Sequence, residues 1–241
     1  MNKIFCDISD DVNEIEITGT DCKHLQVIRI QPGDKICVCN GRGFVYDGQV
    51  VSVTRDKILV SLGSPRPGVM EPSVNCFLYQ ALCKGEKNDY IVQKAVELGV
   101  KEIIFFRSEY SIGDISSKIS LKVGRWNKIA KSAAEQSGRD IIPVVKYYNN
   151  FCDVILSSKN TDNKLLFYEK ENFRLSQYLR QSSLAMNMSV IIGSEGGFSD
   201  KEVHIAKDNK FSILSLGKRI LRAETASVAA LSILMAYCGE I

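Results

Sequence analysis

From residue 74 onward the apolar residues recur in two alternating rhythms, and that alternation leaves few folds open. Residues 74–82 form an apolar run from Val74 to Leu82, followed by the polar stretch Lys84-Gly85-Glu86-Lys87. Over 89–98, Ile91, Ala95 and Leu98 fall on one helix face, with Gly99 placed to end the helix. A second apolar run follows at 102–107. Strand, helix, strand in this order is a βαβ unit, and such units build parallel sheets. The pattern continues with a helix at 122–137 that buries Trp126, Ile129, Ala130 and Ala133 and stops at Gly138. Strands are expected at 141–145, 165–168, 188–192 and 212–216, separated by helical stretches. An α/β fold with a parallel sheet takes its ligands at the carboxyl ends of the strands.

Two of those carboxyl ends carry unusual turns. After the run Val190-Ile191-Ile192 comes Gly193-Ser194-Glu195-Gly196-Gly197-Phe198, whose glycines let backbone approach a ligand without Cβ clashes. Ser199 with Glu202 three residues later is a capping box that starts a helix. The loop is neither a P-loop nor a dinucleotide fingerprint. After 211–216 comes Gly217-Lys218-Arg219-Ile220-Leu221-Arg222, then a helix from Ala223. Arg219, Arg222 and Glu224 thus stand between apolar segments, where charges need partners or water. The last helix is apolar on nearly every face, which places it in a large core or at a subunit interface.

Residues 1–70 read differently. Alternation at 14–18, 35–39, 45–50 and 57–62, bounded by Pro32-Gly33-Asp34, Asn40-Gly41 and Arg55-Asp56, signals hairpins and a small barrel or sandwich. Residues 63–72, with three prolines and two glycines, read as a linker. The chain of 241 residues suits one large or two smaller domains. Acidic side chains crowd residues 1–21, whereas 22–70 hold seven Lys or Arg against three Asp or Glu. Lys23, Arg29, Arg42, Arg55, Lys57 and Arg66 can therefore form a local basic face suited to phosphates. The eight cysteines include no C-x-x-C pair and the chain has two histidines, so no metal site is expected and the cysteines read as reduced, buried small residues of a cytoplasmic protein. No signal peptide and no membrane span is expected.

The two turns and their surroundings carry a resemblance. Gly193-Ser194-Glu195-Gly196-Gly197-Phe198 and Leu216-Gly217-Lys218-Arg219-Ile220-Leu221-Arg222-Ala223-Glu224-Thr225-Ala226 are similar to the signature of the ribosomal small subunit RNA methyltransferase E family. So are Lys84-Gly85, residues 93–99, Ala134-Glu135-Gln136-Ser137-Gly138-Arg139, and His24-Leu25 through Arg29, so the resemblance spans nearly the whole chain. One departure is Ser194, where the family usually has proline. The resemblance implies an α/β protein with an N-terminal PUA-like β-barrel over 1–70 that binds RNA. It also implies a C-terminal SPOUT methyltransferase domain over 73–241, with a parallel sheet and a deep trefoil knot. General rules hold that chains do not knot, so only the resemblance leads there. It further implies a homodimer packed through the last helix, where Ala226, Ser227, Ala229 and Ala230 permit close approach.

The implied activity is transfer of a methyl group from S-adenosyl-L-methionine to N3 of a uridine in 16S ribosomal RNA of the small ribosomal subunit. The implied cofactor residues are Phe167, Tyr168 and Glu169; Ile192, Gly193, Ser194, Glu195, Gly196 and Gly197; and Leu216, Gly217, Arg219, Ile220 and Leu221. For catalysis the expectation is Arg222, with Glu224 orienting it or relaying the proton, and Arg139 and Gln136 near the uridine. Lys23, His24, Arg29 and Arg42 are the expected RNA contacts. The group that removes the N3 proton stays open. Two other functions fit the same residues: a SPOUT methyltransferase with another RNA target, and a non-catalytic RNA-binding or ribosome-assembly protein.

Overall fold

The computed structural model describes residues 2–8, 12–111 and 118–241. They fall into two compact units: Met1–Glu71 with Ala134–Ile142, and Pro72–Ala133 with Pro143–Ile241.

In the first unit the expected alternation becomes strands β2 (Glu14–Thr18), β3 (Lys35–Cys39), β4 (Phe44–Val53) and β5 (Lys57–Leu62). Two further strands complete the sheet, β1 (Asn2–Phe5) and β6 (Arg66–Pro67). The order is β1-β3-β4-β5-β2, with β6 on β4. All pairs are antiparallel except β1 with β3. Inward-facing Ile17, Ile36, Val38, Val50, Ile58 and Val60 make its core. A helix, α1 (Gly19–Val27), closes over that core with Cys22 and Leu25. Nothing in the alternation foretold α1: nine residues with two buried positions are too short to display a helical period.

The linker is held rather than free. The Met70 N–H donates to Asp140 Oδ2 at 2.8 Å, and Glu71 Oε1 accepts from the Asp140 and Ile141 N–H groups at 3.0 and 3.1 Å. The Lys3 ammonium lies 2.6 Å from Asp140 Oδ1. Burial works to raise the Asp140 carboxyl, but Lys3 and the backbone N–H groups outweigh it and hold the group below its ordinary range. These contacts explain why residues 134–142 join the first unit instead of the second.

The second unit is a six-stranded, wholly parallel sheet. Its strands are β7 (Asn75–Ala81), β8 (Glu102–Phe106), β9 (Val144–Tyr148), β10 (Asn163–Phe167), β11 (Asn187–Ile192) and β12 (Ser212–Leu214). The order is β12-β10-β11-β7-β8-β9, so β11 inserts between β10 and β7. The strand expected at 141–145 starts at Val144, because Asp140 and Ile141 are tied to Glu71 and Pro143 offers no ladder donor. Helices are α2 (Lys87–Glu97), α3 (Ile119–Ser137), α4 (Phe151–Ser157), α5 (Leu175–Gln181), α6 (Asp200–Asp208) and α7 (Ala223–Tyr237). Both sheet faces are covered, which is why the strands read as nearly continuous apolar runs. Ile104, Phe106, Leu166 and Ile191 meet Val154 of α4 and Val203 and Ala206 of α6. On β8 the alternate residue Phe105 stacks on Trp126 of α3, centroids 4.3 Å apart. Among the described residues no helix is long and apolar enough to cross a membrane.

Candidate active site

Three turns leave neighbouring strands at the carboxyl edge of this sheet, after β10, β11 and β12. They enclose a cavity of about 490 Å³, a size that accommodates a small organic ligand. Every residue expected to bind the cofactor lines it: Phe167 to Glu169, Ile192 to Gly197, and Leu216, Gly217, Arg219, Ile220 and Leu221. Arg222 lines it too, as do Lys87, Ser215, Lys218, Ala223 and Ala226, which the sequence reading did not name for this role.

The glycine loop is shaped by close approaches. A Cβ on Gly196 would sit 2.8 Å from the Tyr110 Cβ, and one on Gly193 would meet the Phe198 ring at 3.2 Å. Gly197 has φ +70° and its N–H closes a turn on the Ser194 carbonyl at 3.0 Å. The loop ends at Ser199, whose Oγ accepts from the Glu202 N–H at 3.2 Å while Glu202 Oε2 accepts from the Ser199 N–H at 3.0 Å. That is the capping box expected from the sequence. Glu202 also accepts the Glu109 N–H at 3.0 Å.

Behind the cavity lies a polar tie that the sequence did not reveal. Buried Gln80, on β7, donates to the Gly193 carbonyl at 3.1 Å, and Ser227 of α7 donates to Gln80 Oε1. The Tyr168 hydroxyl donates to Asp200 at 3.2 Å, joining the β10 turn to α6. Ser194 is buried, and its hydroxyl oxygen has no hydrogen-bond partner among the described residues. The glycine cradle, the cavity's size and this orphaned hydroxyl fit a mid-sized polar ligand carrying its own donors and acceptors.

Of the four residues expected in catalysis, Arg222 lines the cavity and Glu224, Gln136 and Arg139 do not. Glu224 does not pair with Arg222. Arg222 is the N-cap of α7, with extended backbone (ψ 152°), and makes no ion pair among the described residues. Glu224, in the first turn of α7, lies 3.7 Å from the Lys87 ammonium and lines a separate depression beside α2. Gln136 and Arg139 do not line the cavity. Gly138, at φ +76°, ends α3, and the chain then runs into the first unit, where buried Arg139 pairs with Glu71. Gln136 is exposed. Lys23 and His24 stand exposed on α1, and Arg29, at φ +60°, on the turn that follows. Arg42 is exposed and paired with Asp7 at 3.2 Å. Among the described residues no group of three or more His, Cys, Asp or Glu could hold a metal ion.

The class of the protein comes from its family matches: residues 70–235 match the RNA methyltransferase domain family and residues 17–63 the RNA methyltransferase PUA domain family. The relative from Mesomycoplasma hyopneumoniae named ribosomal RNA small subunit methyltransferase E is 32% identical, over 88% of this chain and 89% of its own length. The Bacillus subtilis protein of the same name is 29% identical, over 96% and 95%. A methyltransferase of Legionella pneumophila solved with its cofactor SAM superposes with a TM-score of 0.87 at 28% identity, over 98% and 97% of the two chains. A ribosomal RNA small subunit methyltransferase E from Neisseria gonorrhoeae, bound to S-adenosyl methionine, does so with a TM-score of 0.85 at 28% identity and the same coverage. The chain belongs to the ribosomal RNA small subunit methyltransferase E family.

Proposed function

We propose that this protein methylates N3 of a uridine in the 16S RNA of the small ribosomal subunit, using S-adenosyl-L-methionine. The observation that carries the reading is the single cavity in which all three carboxyl-edge turns meet. The family relatives act, by their names, on small-subunit ribosomal RNA, and two structural neighbours hold this cofactor.

When bound, the cofactor supplies an electrophilic methyl group on a sulfonium. The chain's own work is positioning. Phe167 to Glu169, the 192–197 loop and the 216–221 turn hold the ligand through backbone groups that the glycines leave accessible. Uridine N3 is a poor nucleophile until it loses its proton, and the resulting anion spreads onto O2 and O4. Arg222, at the cavity wall and without a carboxylate partner among the described residues, steadies that charge with a guanidinium that stays protonated. Base pairing hides N3, so the target nucleotide is taken single-stranded or pulled from its stack. Lys23, His24, Arg29 and Arg42 of the first unit contact the RNA backbone. The protein works in the cytoplasm as a homodimer, burying the face of α7 that presents Ile233 and Tyr237. By family resemblance, its terminal segment is threaded as a trefoil knot.

The test is methyl transfer. Purified protein, labelled S-adenosylmethionine and small subunits lacking the modification are combined, and the digested nucleosides are identified by mass spectrometry. Label in 3-methyluridine is expected, and label in another nucleoside would overturn the target. Arg222→Ala is expected to lower kcat roughly a hundredfold while cofactor affinity, read by calorimetry, stays within about twofold. A wild-type rate would remove Arg222 from the chemistry.

A further inference from the structure

Lys87, the first residue of α2, stands where three separate segments converge. Its ammonium lies 2.6 Å from Glu195 Oε1, in the glycine loop after β11, and 3.7 Å from Glu224 Oε2, in the first turn of α7. The Lys84 N–H adds a second donor to Glu195 Oε1 at 3.2 Å. Glu224 Oε2 is buried and has no hydrogen-bond donor among the described residues, and the Lys87 ammonium is a positive charge set against it. Lys87 lines the cofactor cavity on one side and, on the other, the depression between α2 and α7 that Tyr90 and Glu224 share. The other ammonium on α2, Lys94, makes the usual local pair with Glu97 three residues on. A lysine that joins parts remote in sequence at the wall of a cavity does something else.

We infer that Lys87 is the positioning residue of the cofactor cavity, its ammonium strapping the glycine loop to the start of α7 and so fixing the wall against which the cofactor binds. The inference rests on reading that cavity as the cofactor site. Lys87 touches no reacting atom in this scheme. It acts through Glu195, which fixes the 193–197 loop, and through Glu224, which fixes the turn where the chain enters α7 after its N-cap Arg222. Without it, two carboxylates would stand near one another with no cation between them, and the loop would relax away from α7.

The same geometry sets a pH signature. Burial works to raise the Glu195 carboxyl, but the Lys87 ammonium and the backbone N–H groups of Glu195 and Lys84 prevail and hold it below its ordinary range. Lys87 in turn is raised, chiefly by its hydrogen bond to Glu195. The remaining titratable neighbour, Cys83, is pushed up to about 12 by burial, so it stays neutral and adds no charge at neutral pH. The strap is therefore intact at neutral pH and is lost as pH falls through the depressed Glu195 value. Removing the ammonium moves that loss to higher pH.

Full-length Lys87→Met and Lys87→Arg proteins would be compared with wild type by calorimetric titration with S-adenosylmethionine between pH 4 and 8, alongside thermal melts. Lys87→Met is expected to weaken binding roughly tenfold or more and to shift the acid loss of affinity to higher pH. Lys87→Arg, which keeps the charge, is expected to restore most of the affinity. A Lys87→Met protein that binds like wild type and shows only a lower Tm would overturn the inference. Gly196→Val separates that failure from a failure of the site. If it abolishes binding while Lys87→Met does not, only the role of Lys87 falls. If neither variant changes binding, the cofactor lies elsewhere and both readings fall.

Discussion

At the scale of single residues, Ser194 shows how a departure from a family pattern gains physical meaning. On sequence alone, serine in place of the usual proline meant only a looser φ and a retained N–H. The structure adds that the side chain is buried and its hydroxyl unpartnered among the described residues. A buried hydroxyl without a partner costs about 1 kcal/mol or more. Ser194→Ala is therefore expected to raise the Tm of the ligand-free protein by about 2–4 °C. Ser194 also lines the cavity; where the proposed cofactor supplies the missing partner, the same variant is expected to weaken cofactor binding about two- to tenfold. Opposite signs in the two measurements are the content of this prediction. A variant that neither melts later nor binds more weakly would show that the hydroxyl is satisfied by water in both states.

At the scale of elements, the interactions local in sequence were the legible ones. The capping box of α6 joins residues three apart, and Ser199 and Glu202 announced it. The structure shows that Glu202 does more than cap: its second oxygen holds the Glu109 N–H, fastening the β8 loop to α6. Glu202→Ala thus strips the acceptor from two backbone donors and is expected to destabilise the second unit by about 2 kcal/mol. Glu97→Ala, which breaks only a local surface pair with Lys94, is expected to cost under about 0.5 kcal/mol. Urea midpoints at a common m-value give both numbers, and equal losses would refute the distinction. What stayed hidden shares one property. α1 buries two side chains in nine residues, so no period could form. The Gln80 tie, the Lys87 strap and the capture of residues 134–142 by Lys3 and Glu71 all join residues distant in the chain, and no local pattern encodes such partners. Two of the cavity's turns were legible from their glycines and charges, whereas the third, at 167–169, came only from the family resemblance. The placement of Arg139 was not, since a motif names a residue without saying which way the chain goes after Gly138.

At the scale of the whole molecule, the question is what covers α7. Its inner side packs in the second unit through Ala230, Leu231, Leu234 and Met235, all buried. Its outer side presents Ile233 and Tyr237, 44% and 46% exposed, and neighbouring Tyr90 on α2 is 45% exposed. An amphipathic surface helix would carry charges there, yet from Ala226 to Tyr237 this helix has none. The aromatic ring of Tyr237 is already oriented, because its hydroxyl donates to the Leu179 and Ser182 carbonyls at 3.1 Å. A rigid apolar face without charges suits a second copy of the chain, and a two-fold contact would set α7 against its own equivalent. Ile233→Glu places a carboxylate at the centre of that face while leaving the inner side untouched. Wild type is expected to sediment at twice the chain mass at micromolar concentration, and the variant at the chain mass with an unchanged circular-dichroism spectrum. Because the depression between α2 and α7 borders Lys87 and Glu224, the monomeric variant is also expected to bind cofactor more weakly. A variant that remains dimeric would place the subunit contact on another face, and a dimer lost without any change in cofactor affinity would show that the cavity is complete within one chain.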